Sequence, residues 1–435
     1  MVRREDRTLY GVLLALGLGG VLAASVMAMP RLEGEGALLA CILVLLIWAA
    51  GSVLLLTRPL FRDLAHTLWA TVLLYMALCL RLCLFDHISP DYVSFLSQWC
   101  ETMDHMTVRE ALTTPIGDYN MPYLYLLLVI TRLPVYDLYG IKLCSVLADV
   151  AAALAVAKLA GLGTKRQGIV LGAFTAALLA PTCFLNSAYW GQCDSIYGAF
   201  CLWGLYFGIR EKPIPSLSCF ALGFAFKLQA VFLLPMVLFF LVTGRMKWRH
   251  LPVLPGVFLL VMLPALLAGR SFTDTFSIYF SQTEAYPYMT LNAPSCWALI
   301  SSDYFSEMDP APVLLLLFIF LRRKDTLSTG DLTDLALIFA LAIPWLLPRM
   351  HERYFYLAET LSIVCAARHP RRWPAAFVLL LGGFLVYRNY LFGGSTVFTL
   401  EQLSVAYGAV LCYLIYAALR DARGDHDSEG ELTYD

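Results

Sequence analysis

Five short stretches of this sequence hold residue types that could do chemistry. The first is Leu84-Phe-Asp-His-Ile-Ser-Pro-Asp-Tyr92, with acids at Asp86 and Asp91. Pro90 suits the first turn of a helix, where its missing N–H is not needed. A carboxylate there acts as a general base if it lies within hydrogen-bond reach of an acceptor hydroxyl. The plainer alternative is that Asp91 only stabilises the positive end of the helix. The second stretch, Gly117-Asp-Tyr-Asn-Met-Pro-Tyr123, sets Asp118 beside tyrosines that could stack on a sugar. It also reads as an ordinary turn leading into a helix at Pro122.

The third stretch is Asn186-Ser-Ala-Tyr-Trp-Gly-Gln-Cys-Asp194, at the end of the apolar run Gly168–Leu185. Trp190 offers an aromatic platform, Gly191 a close backbone approach, and Gln192 and Asp194 an amide and a carboxylate. Trp190 alone would be an interfacial anchor. Cys193 has no base at hand and reads as a small space-filler. The fourth pairs Lys227 with Gln229 between two apolar runs. Unpaired charge in such a setting is expensive, so Lys227 meets a phosphate, meets a loop acid, or snorkels to the interface. The fifth is Pro348-Arg-Met-His-Glu-Arg-Tyr354. Arg349, His351 and Arg353 suit phosphate or diphosphate oxygens, arginine having the bidentate geometry. Glu352 orients an arginine or binds a metal, unless the cluster only satisfies itself. Asp303 and Glu307, four residues apart, share a helical face and are a weak metal pair.

These stretches interrupt a chain that is 60% hydrophobic and 14% charged, with a mean hydropathy of +0.70. Soluble domains carry about 25% charge. Apolar runs long enough for about 30 Å of hydrocarbon recur throughout. The expected class is an all-α polytopic membrane protein with about 14 transmembrane helices. The expected crossings are 9–29, 37–57, 65–84, 141–160, 168–185, 195–209, 214–227, 229–244, 251–269, 311–321, 332–348, 353–367, 373–391 and 404–419. The first run reads as a retained helix, and 122–134 as too short to cross. Basic clusters then fall on one side, expected to be the cytoplasm. The stretches 86–120, 186–194, 270–310 and 351–353 fall on the other. The net charge of −1 makes no case for nucleic acid, and the 12 cysteines show no disulfide or metal-ligand spacing.

The order and shared side of Ser89-Pro-Asp-Tyr92, Gly117–Tyr123, Trp190–Asp194, Lys227-Leu-Gln-Ala230 and His351-Glu-Arg-Tyr354 resemble the bacterial GT-C glycosyltransferases, among them mannosyltransferase-like membrane proteins. The resemblance implies a GT-C-like bundle with interfacial helices in the first external loop. It covers residues 65–420, with 1–64 as two additional N-terminal transmembrane helices and 421–435 as a disordered cytoplasmic tail. It implies an inner (cytoplasmic) membrane location and an active site on the external face. A sugar, mannose-like, would pass from a polyprenyl-phosphate carrier to a glycan or lipid acceptor with inversion. Asp91 would be the catalytic base, with Asp86 competing for that role. Asp118, Tyr119, Trp190, Gln192, Asp194, Lys227, Arg349, His351, Glu352 and Arg353 would bind substrate, the cationic ones at the carrier phosphate. No cofactor is required, and a divalent metal stays open. The other reading is a transporter or flippase of lipid-linked saccharides. Many relatives carry a soluble domain after the membrane region, and this sequence ends soon after its last apolar run.

Overall fold

The computed structural model describes residues 36–57, 60–279, 281, 288–300, 310–393 and 397–421. The expected helix 9–29, the tail beyond 421, and Asp303 and Glu307 lie outside the described residues. Within them the chain is almost wholly helical. Two short parallel strands, Thr290–Leu291 and Met350–His351, pair Thr290 with Met350 and Leu291 with His351.

The apolar helices make this a membrane protein. Among the described residues six helices are long and apolar enough to cross: Ala37–Thr57, Leu64–Leu82, Asp137–Ala160, Trp248–Ala268, Pro370–Phe392 and Leu400–Arg420. A seventh span arises if Gln167–Leu179 and Pro181–Trp190, bent by 42°, count as one. The bend has a local cause. Proline lacks an N–H and drives the residue before it out of the helical region. Ala180 accordingly sits at φ −57°, ψ 124°.

The expectation of fourteen crossings is met only in part, because several apolar runs form shorter helices. They include Asp194–Ile209, Pro213–Phe226, Ala311–Leu321 and Tyr356–Arg368. The run 229–244 divides into a 3₁₀ segment, Leu228–Leu233, and a helix, Pro235–Val242, that begins at its proline. The apolar run at 122–134 gives the ten-residue helix Met121–Ile130, about 15 Å long. Just past its end, Arg132 donates to the carbonyls of Met103 and Met106 at 3.0 and 2.6 Å. It thereby caps the C-terminus of the first-loop helix Ser97–Asp104 with positive charge.

The chain forms two compact units. The first takes the chain up to Trp203 with Ala221–Leu228 and Gly256–Gln282; the second takes Gly204–Phe220, Gln229–Pro255 and the chain from Thr283 onward. In the second unit Asp334 is buried and accepts from Arg372 at 2.6 Å. Tyr407 lies where Gly382 leaves room for it, and its hydroxyl donates to the Leu379 carbonyl at 3.0 Å.

The first unit is built on Asp137–Ala160. One face of this helix bears Tyr139, Lys142, Ser145 and Asp149, spaced three or four residues apart as neighbours along a helix are. Lys142 is fully buried and donates to the carbonyls of Leu84, Phe85 and His87 at 3.0, 2.7 and 2.7 Å. All three ammonium protons are used. Ser145 donates to the Gln192 carbonyl at 2.7 Å. Asp149 accepts from Arg81 at 2.8 Å and from Ser187 at 2.5 Å. Arg81 also donates to the Leu178 carbonyl at 2.9 Å, one turn before the bend, where the proline leaves carbonyls without helical partners. Helix Ala37–Thr57 packs on this helix and on Leu64–Leu82.

Both Arg81 and Asp149 are 1% exposed in their side chains. Removing one member of such a pair strands the other charge. Arg81→Met is therefore expected to cost about 3–5 kcal/mol, read as a lower Tm in detergent. The double variant Arg81→Met/Asp149→Leu should regain most of that loss.

Candidate functional site

In the first unit the residues expected to do chemistry gather around Asp91. Its helix starts at Pro90 as expected, but Asp91 does not cap it. Ser89 does, its Oγ accepting from the Tyr92 N–H at 3.2 Å and donating to the Trp190 carbonyl at 2.7 Å. Asp91 is thus left free of a capping role. Its Oδ2 accepts from the Trp190 indole N–H at 3.0 Å and from Gln192 Nε2 at 2.6 Å. Both donors are neutral. No donor sits on Oδ1 among the described residues, and Asp91 is half-buried.

Gln192 links this carboxylate to the second stretch, since its Oε1 accepts from the Tyr119 hydroxyl at 3.3 Å. Gly117, at φ +64°, lies flat against Trp99, where an added Cβ would come within 2.5 Å of the ring. Trp99 in turn meets Tyr119 edge-on at 5.6 Å, and Tyr119 meets Tyr123 at 4.7 Å. Asp118 is exposed in the same turn. Gly191 adopts φ +82° and reverses the chain so that Gln192 can face Asp91. The segments Tyr92–Leu96 and Leu185–Trp190, which flank the carboxylate and its donors, are both π-helical. Such widened turns occur frequently at functional sites.

Other expected residues sit differently. Trp190 is 1% exposed, so its ring is no open stacking platform. Asp194 is fully buried, with Oδ1 accepting from Lys227 at 2.6 Å and Oδ2 from Asn186 at 2.9 Å. Lys227 therefore meets an acid from the same polar series, one of the alternatives open to it. Asp86 is exposed and accepts a short hydrogen bond from Tyr139.

The cationic turn belongs to the second unit. The Arg349 N–H donates to the Met289 carbonyl at 2.8 Å, and Arg349 stands at φ +63°. A left-handed arginine is uncommon, and the strand pair that follows it holds it there. Glu352 is 2% exposed. Its Oε1 lies 3.3 Å from Arg353 and its Oε2 lies 4.0 Å from His351 Nδ1. Tyr354 packs against the His351 ring at 5.2 Å. Glu352 thus orients the turn's cations, as one sequence reading had it. Among the described residues no group of three or more His, Cys, Asp or Glu side chains is arranged to hold a metal ion.

Sequence reasoning missed the capping role of Ser89, and missed Arg81, Lys142 and Asp149 altogether. The signal for the last two was present: a lysine and an aspartate seven apart inside an apolar run mark one face of a helix, and charge there is functional or paired. No protein-family model matches the chain, and no curated protein matches it.

Two outcomes follow from this geometry. His87 stacks on Tyr189 at 3.6 Å and 9°. Burial and, after it, the Lys142 charge hold its pKa below the usual histidine value. Protonation then costs more in the folded protein than in the unfolded chain. Stability should be complete above about pH 6.5 and decline as the pH falls below it. His87→Gln should flatten that decline in a series of thermal melts. Lys227→Met strands the buried Asp194 carboxylate, and should lower stability by about 3 kcal/mol or more, measured by denaturation in detergent.

Proposed function

We propose that this protein is a membrane glycosyltransferase of the GT-C kind. It moves a hexose, mannose-like, from a polyprenyl-phosphate carrier to a glycan or lipid acceptor. The site faces outward from the inner membrane, and the anomeric configuration inverts. The observation that carries this reading is the state of Asp91. One oxygen is held by two neutral donors, and among the described residues the other has no donor and no cation touches the carboxylate. Such a group is oriented without being neutralised, which is what a general base needs.

In this mechanism Asp91 Oδ1 takes the proton of the acceptor hydroxyl. The hydroxyl oxygen bonds to the anomeric carbon, and the bond from that carbon to the carrier phosphate breaks with its electron pair leaving on the phosphate. Trp190 and Gln192 fix the base through Oδ2. Asp86 is the less suited of the two acids: it is exposed, and Tyr139 already occupies Oδ1. Tyr119 and Trp99 offer rings to a sugar. For Asp194 and Lys227 the mutual pair favours holding the third stretch in place over touching substrate. The role of Arg349, His351 and Arg353 at carrier phosphate oxygens is a separate proposal about the second unit, supported by His351 and Arg353 beside buried Glu352 and by Arg349 in the same turn.

The test is transfer by purified protein given defined polyprenyl-phosphate hexoses and candidate acceptors. Asp91→Asn should lower the rate by about 10²- to 10⁴-fold with an unchanged Tm. Tyr119→Phe, which removes one long neutral hydrogen bond, should cost less than about ten-fold. Full transfer by Asp91→Asn would sink the assignment. For the second unit, Arg349→Gln should raise the KM for the lipid-linked donor by about ten-fold, the weight of one charged hydrogen bond.

A second reading, a flippase or transporter of lipid-linked saccharides, draws on a different observation. The bent pair at Ala180-Pro181 and the buried Arg81–Asp149 couple are features that transporters use. Translocation of a fluorescent lipid-linked sugar in proteoliposomes without any transfer product would favour it.

A further inference from the structure

Asp91 opens onto apolar surface. Its segment turns Ser89, Tyr92 and Leu96 inward, where all three are buried. The exposed residues from 88 to 95 are Ile88, Pro90, Val93, Ser94 and Phe95, and of these only Ser94 has a polar side chain. Ile88, Val93 and Phe95 are 50%, 54% and 45% exposed. Single exposed apolar residues are ordinary. These instead bracket a carboxylate with an open oxygen, and clustered apolar surface of that kind marks a ligand or interaction site. Phe95 stands close to one turn beyond Asp91 along the π-helical segment, and its ring meets Trp99 at 6.2 Å. Trp99 meets Tyr119, and Tyr119 reaches Asp91 through Gln192. The apolar patch is therefore continuous with the candidate site.

Stereochemistry decides which substrate meets this patch. In an inverting displacement the attacking oxygen and the leaving group lie on opposite faces of the sugar. The base touches the attacking hydroxyl, so the side chains around the base meet the acceptor. The carrier's apolar chain hangs from the phosphate, on the other face. The donor's tail therefore does not account for Ile88, Val93 and Phe95. A free glycan would press hydroxyls against them and lose water contacts without gaining hydrogen bonds. A hydroxyl carried on an apolar body satisfies the carboxylate and the patch together. The same follows where bilayer covers these side chains, since a hydroxyl then reaches Asp91 from the lipid side.

We propose that the acceptor at Asp91 is a membrane lipid with a free hydroxyl in its headgroup, its apolar body lying along Ile88, Val93 and Phe95. The inference rests on the glycosyltransferase reading and narrows its acceptor from glycan or lipid to lipid. The lipid hydroxyl gives its proton to Asp91 Oδ1, and its oxygen bonds to the anomeric carbon. The bond from that carbon to the phosphate oxygen breaks, and its electron pair leaves with the carrier phosphate. The product is a second lipid-borne sugar, now a glycoside and stable to the mild acid that cleaves glycosyl phosphates. The test uses the full chain in nanodiscs of phosphatidylcholine, a lipid without a hydroxyl, with radiolabelled polyprenyl-phosphate hexoses as donors. Either the organic lipid extract or the water-soluble glycan extract of the host membranes is added. Label should pass into an organic-soluble, acid-stable product with the lipid extract. Phe95→Ser should raise the amount of lipid extract needed for half-maximal rate about five-fold, the weight of covering the exposed half of one phenylalanine, and should shift the donor KM less. Phe95→Leu should keep most of the wild-type behaviour. Label in the water-soluble glycan alone would overturn the inference and leave the glycosyltransferase reading standing. Transfer into neither extract would remove that reading and the inference with it. A lipid product with an unshifted Phe95→Ser protein would overturn the assignment of the patch.

Discussion

The first unit depends on a buried lysine. Lys142 sits inside a helix of crossing length with no carboxylate among the described residues in hydrogen-bond contact, and stays there because three backbone carbonyls take all three of its protons. A buried ammonium is tolerable only when fully satisfied. The satisfaction works in both directions, because the carbonyls of 84, 85 and 87 belong to a non-helical turn, in which Leu84 has besides the lysine only a long 3.3 Å bond from the His87 N–H. Lysine and turn hold each other. That turn leads directly into Ser89, Pro90 and Asp91, so the position of the carboxylate is set from a neighbouring helix and not by its own loop.

The same helix repeats the device further along. Ser145 fixes the carbonyl of Gln192, and Asp149 fixes Ser187 and Arg81. One polar face therefore positions both the loop that bears Asp91 and the turn that bears its two donors. The irregular backbone of the region, with two π-helical segments and a proline bend, can persist because these side chains supply hydrogen bonds that regular helix would have supplied. Arg81 at the Leu178 carbonyl is the plainest case.

Three buried pairs neutralise each other. Arg81 meets Asp149, Lys227 meets Asp194, and Arg372 meets Asp334. Asp91 departs from that pattern: it is half-buried, touched by neutral donors and, among the described residues, unpaired on one oxygen. In the second unit the turn at His351 balances its cations against Glu352, and a left-handed Arg349 stores a little strain. Strained residues of this kind occur at ligand sites more often than elsewhere.

Much of this was legible from residue order alone. Apolar run length identified a membrane protein, Pro90 and Pro122 marked helix starts, and the polar interruptions at Asp91, Gln192 and His351 pointed to the places where side chains gather. Each of these is a local property, set by backbone geometry or by transfer from water to lipid. The partners were not local. That Asp194 is consumed by Lys227, that Ser89 is tied to the Trp190 carbonyl, and that Gln192 and Trp190 turn toward Asp91 depend on contacts 33 to 101 residues apart. The fourteen expected runs also give only six or seven helices of crossing length among the described residues, because hydropathy does not say whether a proline divides a run into short pieces. Sequence by itself determined the solvent this chain lives in and the residues that could react. Tertiary structure decided which carboxylate is spent on a salt bridge and which keeps an open oxygen, since burial and pairing arise only when distant helices meet.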